Sequence, residues 1–234
     1  MGGVSGRGRG PAVERPVGGA RDAQDVRTWL AAPVLEVAPR LLGAMVRTEL
    51  SDGVVAVRLT EVEAYDGGID PGSHAFRGRT ARNAVMFGPA GRLYVYRHLG
   101  LHLCANVVTG PDGRASAVLL RAGEVVEGAD LARERRLRRG VLRTDVDLAR
   151  GPARLAVALG LVIEHDGVDL LGDGPVRLAP APAPATDWTT GPRVGVSGEG
   201  GDGQRYPWRF WLPEEPTVSA YRVAGARRRR PGDG

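Results

Sequence analysis

Residues 44–65, AMVRTELSDGVVAVRLTEVEAY, decide the fold. Two β-rich runs, Ala44–Leu50 and Val54–Val62, flank Ser51-Asp52-Gly53, a turn signal, and together they predict a β-hairpin. The second run ends in EVEAY, and a polar, Gly-rich loop from Asp66 to Asn83 follows it. Three more strands are expected at Arg92–Tyr96, Cys104–Thr109 and Ala117–Ala122, the first two linked by HLGLHL. Upstream, Val26, Trp29, Leu30, Val34, Leu35, Val37, Leu41 and Leu42 predict short helices interrupted at Pro33 and Pro39. Downstream, Glu124–Arg138 has the alternating charge of an exposed helix, and ARGPARLAVALGL has the Leu/Ala face of a buried one. The pattern implies an α/β (α+β) chain: one compact domain over 24–223, with a curved, mostly antiparallel sheet and surrounding helices. Residues 1–23 and 224–234 lack apolar periodicity and are expected to be a disordered basic Gly/Arg-rich arm and a disordered basic tail.

Composition narrows the chemistry. All 32 basic residues are Arg, so a lysine Schiff base or lysine general base is excluded. Against 27 acids they leave a net charge of +5, a balance that suits a polyanionic partner such as nucleic acid. The single cysteine, Cys104, excludes an intramolecular disulfide and a cysteine-rich zinc site. No apolar run approaches the roughly 18 residues of a membrane span. The expected location is cytoplasmic and nucleoid-associated, with no membrane partner.

The chemistry gathers where the second strand ends, in EVEAYDGGIDPGSHAFRGRT, residues 61–80. Glu63 at a strand terminus has the position of a general base, and Arg121, in the apolar VLLRAG, needs a carboxylate partner. Alternation puts Tyr94 and Tyr96 on one strand face, and with Tyr65 they suit stacking on a planar ligand such as a nucleobase. His98, His102 and Asp70 define a competing metal-hydrolase reading, but the zinc spacing is missing and no metal is expected.

In order along the chain stand EVEAY, DPGSHAFRGRTARN, MFGPAGRLYVY, GLHLCANVV, AVLLRAGE, RGPARL, GPRVGV and PWRFW. This series, from about Leu30 to Arg222, resembles the alkyladenine DNA glycosylase family, also called 3-methyladenine or N-methylpurine DNA glycosylases. The resemblance implies an enzyme without metal or other cofactor that acts, as a monomer, on double-stranded DNA containing damaged purines. A β-hairpin enters the minor groove, the damaged nucleotide rotates into a pocket, and water attacks C1′, releasing the base and leaving an abasic site. By the same resemblance Glu63 is the general base and Arg121 helps hold water and carboxylate together. Tyr65, His74 and Tyr96 form the pocket walls and a base-contacting edge. Asn106 disfavours the guanine amino group, and the carbonyl near Val194 completes the water site. Arg79, Thr80 and Arg82 resemble residues that contact the DNA backbone. Leu99 stands where many family members have an aromatic wedge, with Leu101 as its apolar neighbour on the hairpin. A non-catalytic binder of damaged DNA with the same fold is the alternative.

Overall fold

The computed structural model describes residues 20–222. The terminal stretches 1–19 and 223–234, which hold most of the expected arm and all of the expected tail, lie outside the described residues. Helix α1 (Ala20–Leu30) begins four residues before the domain boundary expected at 24. Helix α2 (Val34–Arg40) follows Pro33 and carries Pro39 inside its last turn, where α2 ends one residue later.

The hairpin at 44–65 is present as β1 (Met45–Leu50) and β2 (Gly53–Asp66), antiparallel with Leu50 opposite Gly53. Next come β3 (Leu93–His98), β4 (His102–Val108) and β5 (Ser116–Glu127). Beyond β5 lie α3 (Ala129–Leu137), α4 (Pro152–Ala158) and three short strands, β6 (Val176–Ala179), β7 (Thr189–Gly191) and β8 (Arg209–Trp211). All pairings between these strands are antiparallel. The eight strands form one open sheet of order β3-β4-β5-β2-β1-β6, with β8 joined to β2 and β7 to β8.

β2 is long enough to serve two neighbours on one edge. Its first half pairs with β1 and its end, Glu61–Glu63, with β8. The bend between the halves comes from bulges. Thr60 falls between the pairs Leu59–Gly123 and Glu61–Ala122, and Arg121 between Ala122 and Leu120. An extra residue in one strand kinks it and re-aims the side chain it carries. Thr60, released from the ladder to β5, bonds the Thr217 hydroxyl at 2.8 Å. Arg121 therefore stands in mid-strand at a bulge, not at a strand end as its position after an apolar run suggested.

The expected helix over 124–138 is shorter. β5 continues to Glu127, and α3 starts only after Gly128, whose φ of 73° and close approach to Val54 suit glycine: a Cβ there would lie 2.0 Å from the Val54 carbonyl oxygen. α3 is also less exposed than its charges imply, since Ala132, Arg135 and Arg136 are buried and Arg135 pairs with Asp52 of the β1–β2 turn. α4 buries Leu155, Ala156 and Ala158, as its Leu/Ala face predicts.

Strand alternation separates two environments on the sheet. Leu93 and Val95, Ala105 and Val107, Val118 and Leu120, Val62 and Ala64 point into the main apolar core beneath the helices. Their alternates on the same four strands face a cavity.

Candidate active site

That cavity has a volume of about 340 Å³. Its floor consists of side chains two residues apart: Tyr94, Tyr96 and His98 of β3, Cys104 and Asn106 of β4, Ala117, Leu119 and Arg121 of β5, Glu63 and Tyr65 of β2. Loop residues close the rim, His74 and Met86 on one side and Val194–Ser197 on the other. The structure thus brings Glu63, Arg121, Tyr65, His74, Tyr96, Asn106 and Val194 together around one space.

Glu63 is completely buried, accepts two hydrogen bonds and pairs with one arginine. Its Oε1 accepts the Val194 N–H at 2.7 Å and lies 3.3 Å from Arg121 Nη1; its Oε2 accepts the Tyr65 hydroxyl at 2.9 Å. Val194 meets the carboxylate through its amide, because the 192–196 loop lays that N–H against the end of β2. An ionised carboxylate offers about four acceptor positions. With Oε1 accepting the Val194 N–H beside Arg121 and Oε2 accepting the Tyr65 hydroxyl, Oε2 retains a lone pair that these contacts leave unused.

Behind Glu63 lies a second buried carboxylate whose role sequence reasoning left open. Glu61 Oε1 accepts from Arg121 Nε at 2.9 Å and from Arg209 Nε at 2.6 Å, and Oε2 accepts the Ser219 N–H at 2.7 Å. Arg121 is thus fastened by Glu61 at Nε and by the Ser219 hydroxyl at Nη2, 3.1 Å away, and reaches Glu63 with Nη1. Burial opposes its charge, but Glu63 and Glu61 outweigh that and raise its pKa further.

Beside this pair the lining is aromatic. Tyr94 and Tyr96 stack at 5.5 Å with 26° between planes, and His74 sits edge-on to Tyr96 at 4.4 Å. His74 Nδ1 is 3.1 Å from the Tyr94 hydroxyl, and the Asn106 amide donates to the Tyr94 carbonyl at 3.1 Å. Burial pushes the Tyr94 phenol up to about 12 and the Tyr96 phenol higher still, the latter helped by Cys104. Burial and then the Glu63 charge hold Tyr65 well above the usual range. The His74 imidazole is pushed down, by burial first and then by Arg82 and His98. At neutral pH the wall is therefore uncharged, and the lining pairs a fixed carboxylate–arginine unit with neutral, electron-rich rings.

The loop expected to contact the DNA backbone is held by Asn83, which is buried. Its amide donates to the His74 and Gly78 carbonyls at 2.9 and 3.0 Å, and its Oδ1 accepts the Thr80 N–H at 2.7 Å. Arg79 and Thr80 are exposed beside it, with the Arg79 guanidinium 5.9 Å from the Phe87 ring. Arg82 lies over Tyr96 at 5.7 Å and donates to the Arg97 carbonyl, so it caps the pocket wall as well as facing solvent.

The β3–β4 turn projects Leu99 and Leu101 into solvent, 81% and 75% exposed. The Leu101 N–H bonds the His98 carbonyl at 3.1 Å, and both central residues have positive φ, Leu99 at 48° and Gly100 at 72°. A primed turn suits a hairpin, but a leucine in its first central position is strained. An apolar side chain held outward in a strained conformation serves contact, not packing.

His98 and His102 are cross-strand partners at the base of this turn, both exposed, while Cys104 is buried at the pocket floor and Asp70 is buried in an ion pair with Arg193. The residues of the metal reading are therefore dispersed, and among the described residues no group of three His, Cys, Asp or Glu is placed to hold a metal ion. Among the described residues no helix is long and apolar enough to cross a membrane.

A pocket lined by a buried carboxylate and stacked aromatics, with an apolar hairpin beside it in a basic chain, suits an enzyme that works on a base turned out of a nucleic acid. The chain belongs to the methylpurine-DNA glycosylase family, whose model matches residues 28–216. It is 56% identical over 207 residues to a protein of Streptomyces avermitilis, covering 87% of this chain and 94% of that protein. It is 57% identical over 202 residues to one of Leifsonia xyli subsp. xyli, with 86% and 93% covered. To one of Nocardia farcinica it is 57% identical over 192 residues, with 79% and 85% covered. Each of the three is named "Putative 3-methyladenine DNA glycosylase".

Proposed function

We propose that this chain excises alkylated or deaminated purines from duplex DNA as a monofunctional glycosylase. The damaged nucleotide rotates into the 340 Å³ cavity, its base lying against the Tyr94–Tyr96 wall with its sugar toward Glu63. Water bonded to the open position of Glu63 Oε2 attacks C1′ as the carboxylate takes its proton. The N-glycosidic bond breaks, and the base leaves with the bonding electron pair.

The observation that carries this reading is the buried Glu63, oriented by Val194, Tyr65 and Arg121 in a lining it shares with neutral rings. A positioned general base contributes about 10²–10⁴-fold. An N3- or N7-alkylated purine is already cationic, so its base departs with little acid assistance, and tyrosine faces favour it over a neutral base. Asn106, fixed by its bond to Tyr94, stands where the exocyclic amino group of guanine has to fit. Leu99 fills the vacated place in the stack, and Arg79, Thr80 and Arg82 meet the neighbouring phosphates.

The basic balance of the sequence favours a polyanionic partner, in keeping with a nucleoid-associated protein of the cytoplasm that acts as a monomer. The test is a set of duplexes carrying single 7-methylguanine, hypoxanthine, ethenoadenine or uracil residues. Release of one or more of the purines with uracil untouched is expected. Release of uracil, or of none of the purines, overturns the reading.

A further inference from the structure

The geometry points to Arg193, through its buried pair with Asp70, as the positioning residue that orients Glu63 for water activation. This inference rests on the function proposed above and assigns part of it to two residues outside the reacting atoms.

The Arg193 side chain is fully buried, and its guanidinium ties three chain segments together. Nη1 donates to the Ala64 carbonyl at 3.0 Å and to Asp70 Oδ2 at 2.5 Å; Nη2 donates to Asp70 Oδ1 and to the Gly200 carbonyl, both at 2.7 Å. Its Cζ lies 4.5 Å from the Tyr65 ring centroid, with Trp208 and Tyr206 at 5.4 and 5.6 Å. Nε is buried without a partner, tolerated because aromatic faces surround the cation. At Gly72 a Cβ would lie 2.6 Å from Nη2, so the Asp70 loop closes tightly on the guanidinium.

These contacts converge on Glu63 from both sides. Ala64, which Arg193 holds, lies between Glu63 and Tyr65. Tyr65, on which Arg193 stacks, supplies the hydroxyl to Glu63 Oε2. Val194, the next residue in the chain, supplies the N–H to Glu63 Oε1. Both hydrogen-bond donors that orient the carboxylate are thus set by one side chain, and its ion-pair partner, Arg121, is set separately by Glu61. The buried fork matters for its shape as well as its charge, since a lysine amine cannot reach Ala64, Asp70 and Gly200 at once.

Arg193→Met keeps much of the volume and removes the fork. Single-turnover excision and DNA dissociation constants are measured on the folded, DNA-competent fraction, with the unsubstituted enzyme as control. The excision constant is expected to fall by about 10²-fold, the scale of an ångström-level misplacement, while DNA affinity stays within about threefold. Arg193→Lys, which restores the charge alone, is expected to regain part of the rate. If Arg193→Met does not fold, Asp70→Asn, which leaves the arginine in place but frees it, is expected to show the same split between rate and affinity. Excision within about twofold of the unsubstituted enzyme in the folded variant, or losses of affinity matching the losses of rate, overturns the inference. An unsubstituted enzyme that excises nothing overturns the functional reading instead.

Discussion

Glu63→Gln separates the chemistry of the site from its architecture. Glutamine keeps the size of the side chain and one carbonyl oxygen, which still accepts the Val194 N–H that now reaches Oε1 at 2.7 Å. Its amide nitrogen then faces the Tyr65 oxygen, 2.9 Å from Oε2 in the native enzyme, and the hydroxyl rotates to accept instead of donate. Arg121 loses its contact with the Glu63 charge but keeps Glu61 at 2.9 Å. The Tyr65 O–H then loses the acceptor it has in Glu63, so the stability cost is that of one buried donor left unsatisfied together with weakened charge-assisted bonds, about 1–3 kcal/mol. The rate behaves differently. An amide cannot take a proton from water at neutral pH, and losing a general base worth about 10²–10⁴-fold raises the barrier by about 3–5.5 kcal/mol. The assay is single-turnover excision of hypoxanthine with enzyme in excess, read beside DNA affinity and thermal unfolding. Excision reduced at least about 10²-fold, with affinity within a few-fold, is expected. A variant that excises within a few-fold of the native rate refutes the assignment of Glu63 as the base.

Other expectations follow from the same geometry. Leu99→Gly relieves the positive φ, which costs roughly 1–3 kcal/mol for a non-glycine residue, so the free protein should gain stability while extrusion of a fluorescent ethenoadenine weakens. Leu99→Ala should weaken extrusion without that gain, and unchanged extrusion in both variants removes Leu99 as the wedge. Asn106→Ser should raise excision of normal guanine relative to hypoxanthine, because it vacates the space the amino group needs; an unchanged ratio contradicts the placement. For His74 the folded pKa lies below the unfolded value of about 6.5, so the unfolded state binds more protons in that window and stability falls as pH drops from above 6.5 through the folded pKa. The exposed edge of the ring keeps that stability effect small. Protonation also sets a cation against a cationic base, so excision of 7-methylguanine should decline more than that of hypoxanthine as pH falls below the ordinary histidine range, and His74→Gln should remove the difference.

Much of this site was legible because strand alternation is a strong constraint. Once EVEAY, LYVY, CAN and AVLLRAG are strands, Glu63 and Tyr65, Tyr94 and Tyr96, Cys104 and Asn106, Leu119 and Arg121 fall on shared faces. What alternation cannot carry is a bulge. Arg121 was placed at a strand end because nothing in AVLLRAGE marks the extra residue that turns it toward both glutamates. Glu124–Glu127 has two valines between acids, a pattern equally open to an exposed helix, and only the pairing with β2 settles it as strand. β6, β7 and β8 are three or four residues long amid Pro and Gly, too short to show a period. The Arg193–Asp70 pair spans 123 residues. Its signal was an arginine within GPRVGV and an acid within DGGID, each compatible with a solvated loop until the fold joined them.

The most direct test of the central claim is the fate of a duplex bearing one methylated purine, incubated with the purified chain and excess chelator. The account predicts release of the free methylated base, one abasic site per base released, and a strand that stays intact until treated with alkali. With no lysine in the sequence, borohydride should trap no covalent adduct through a side-chain amine. Tight binding without base release, or release abolished by the chelator, would contradict it.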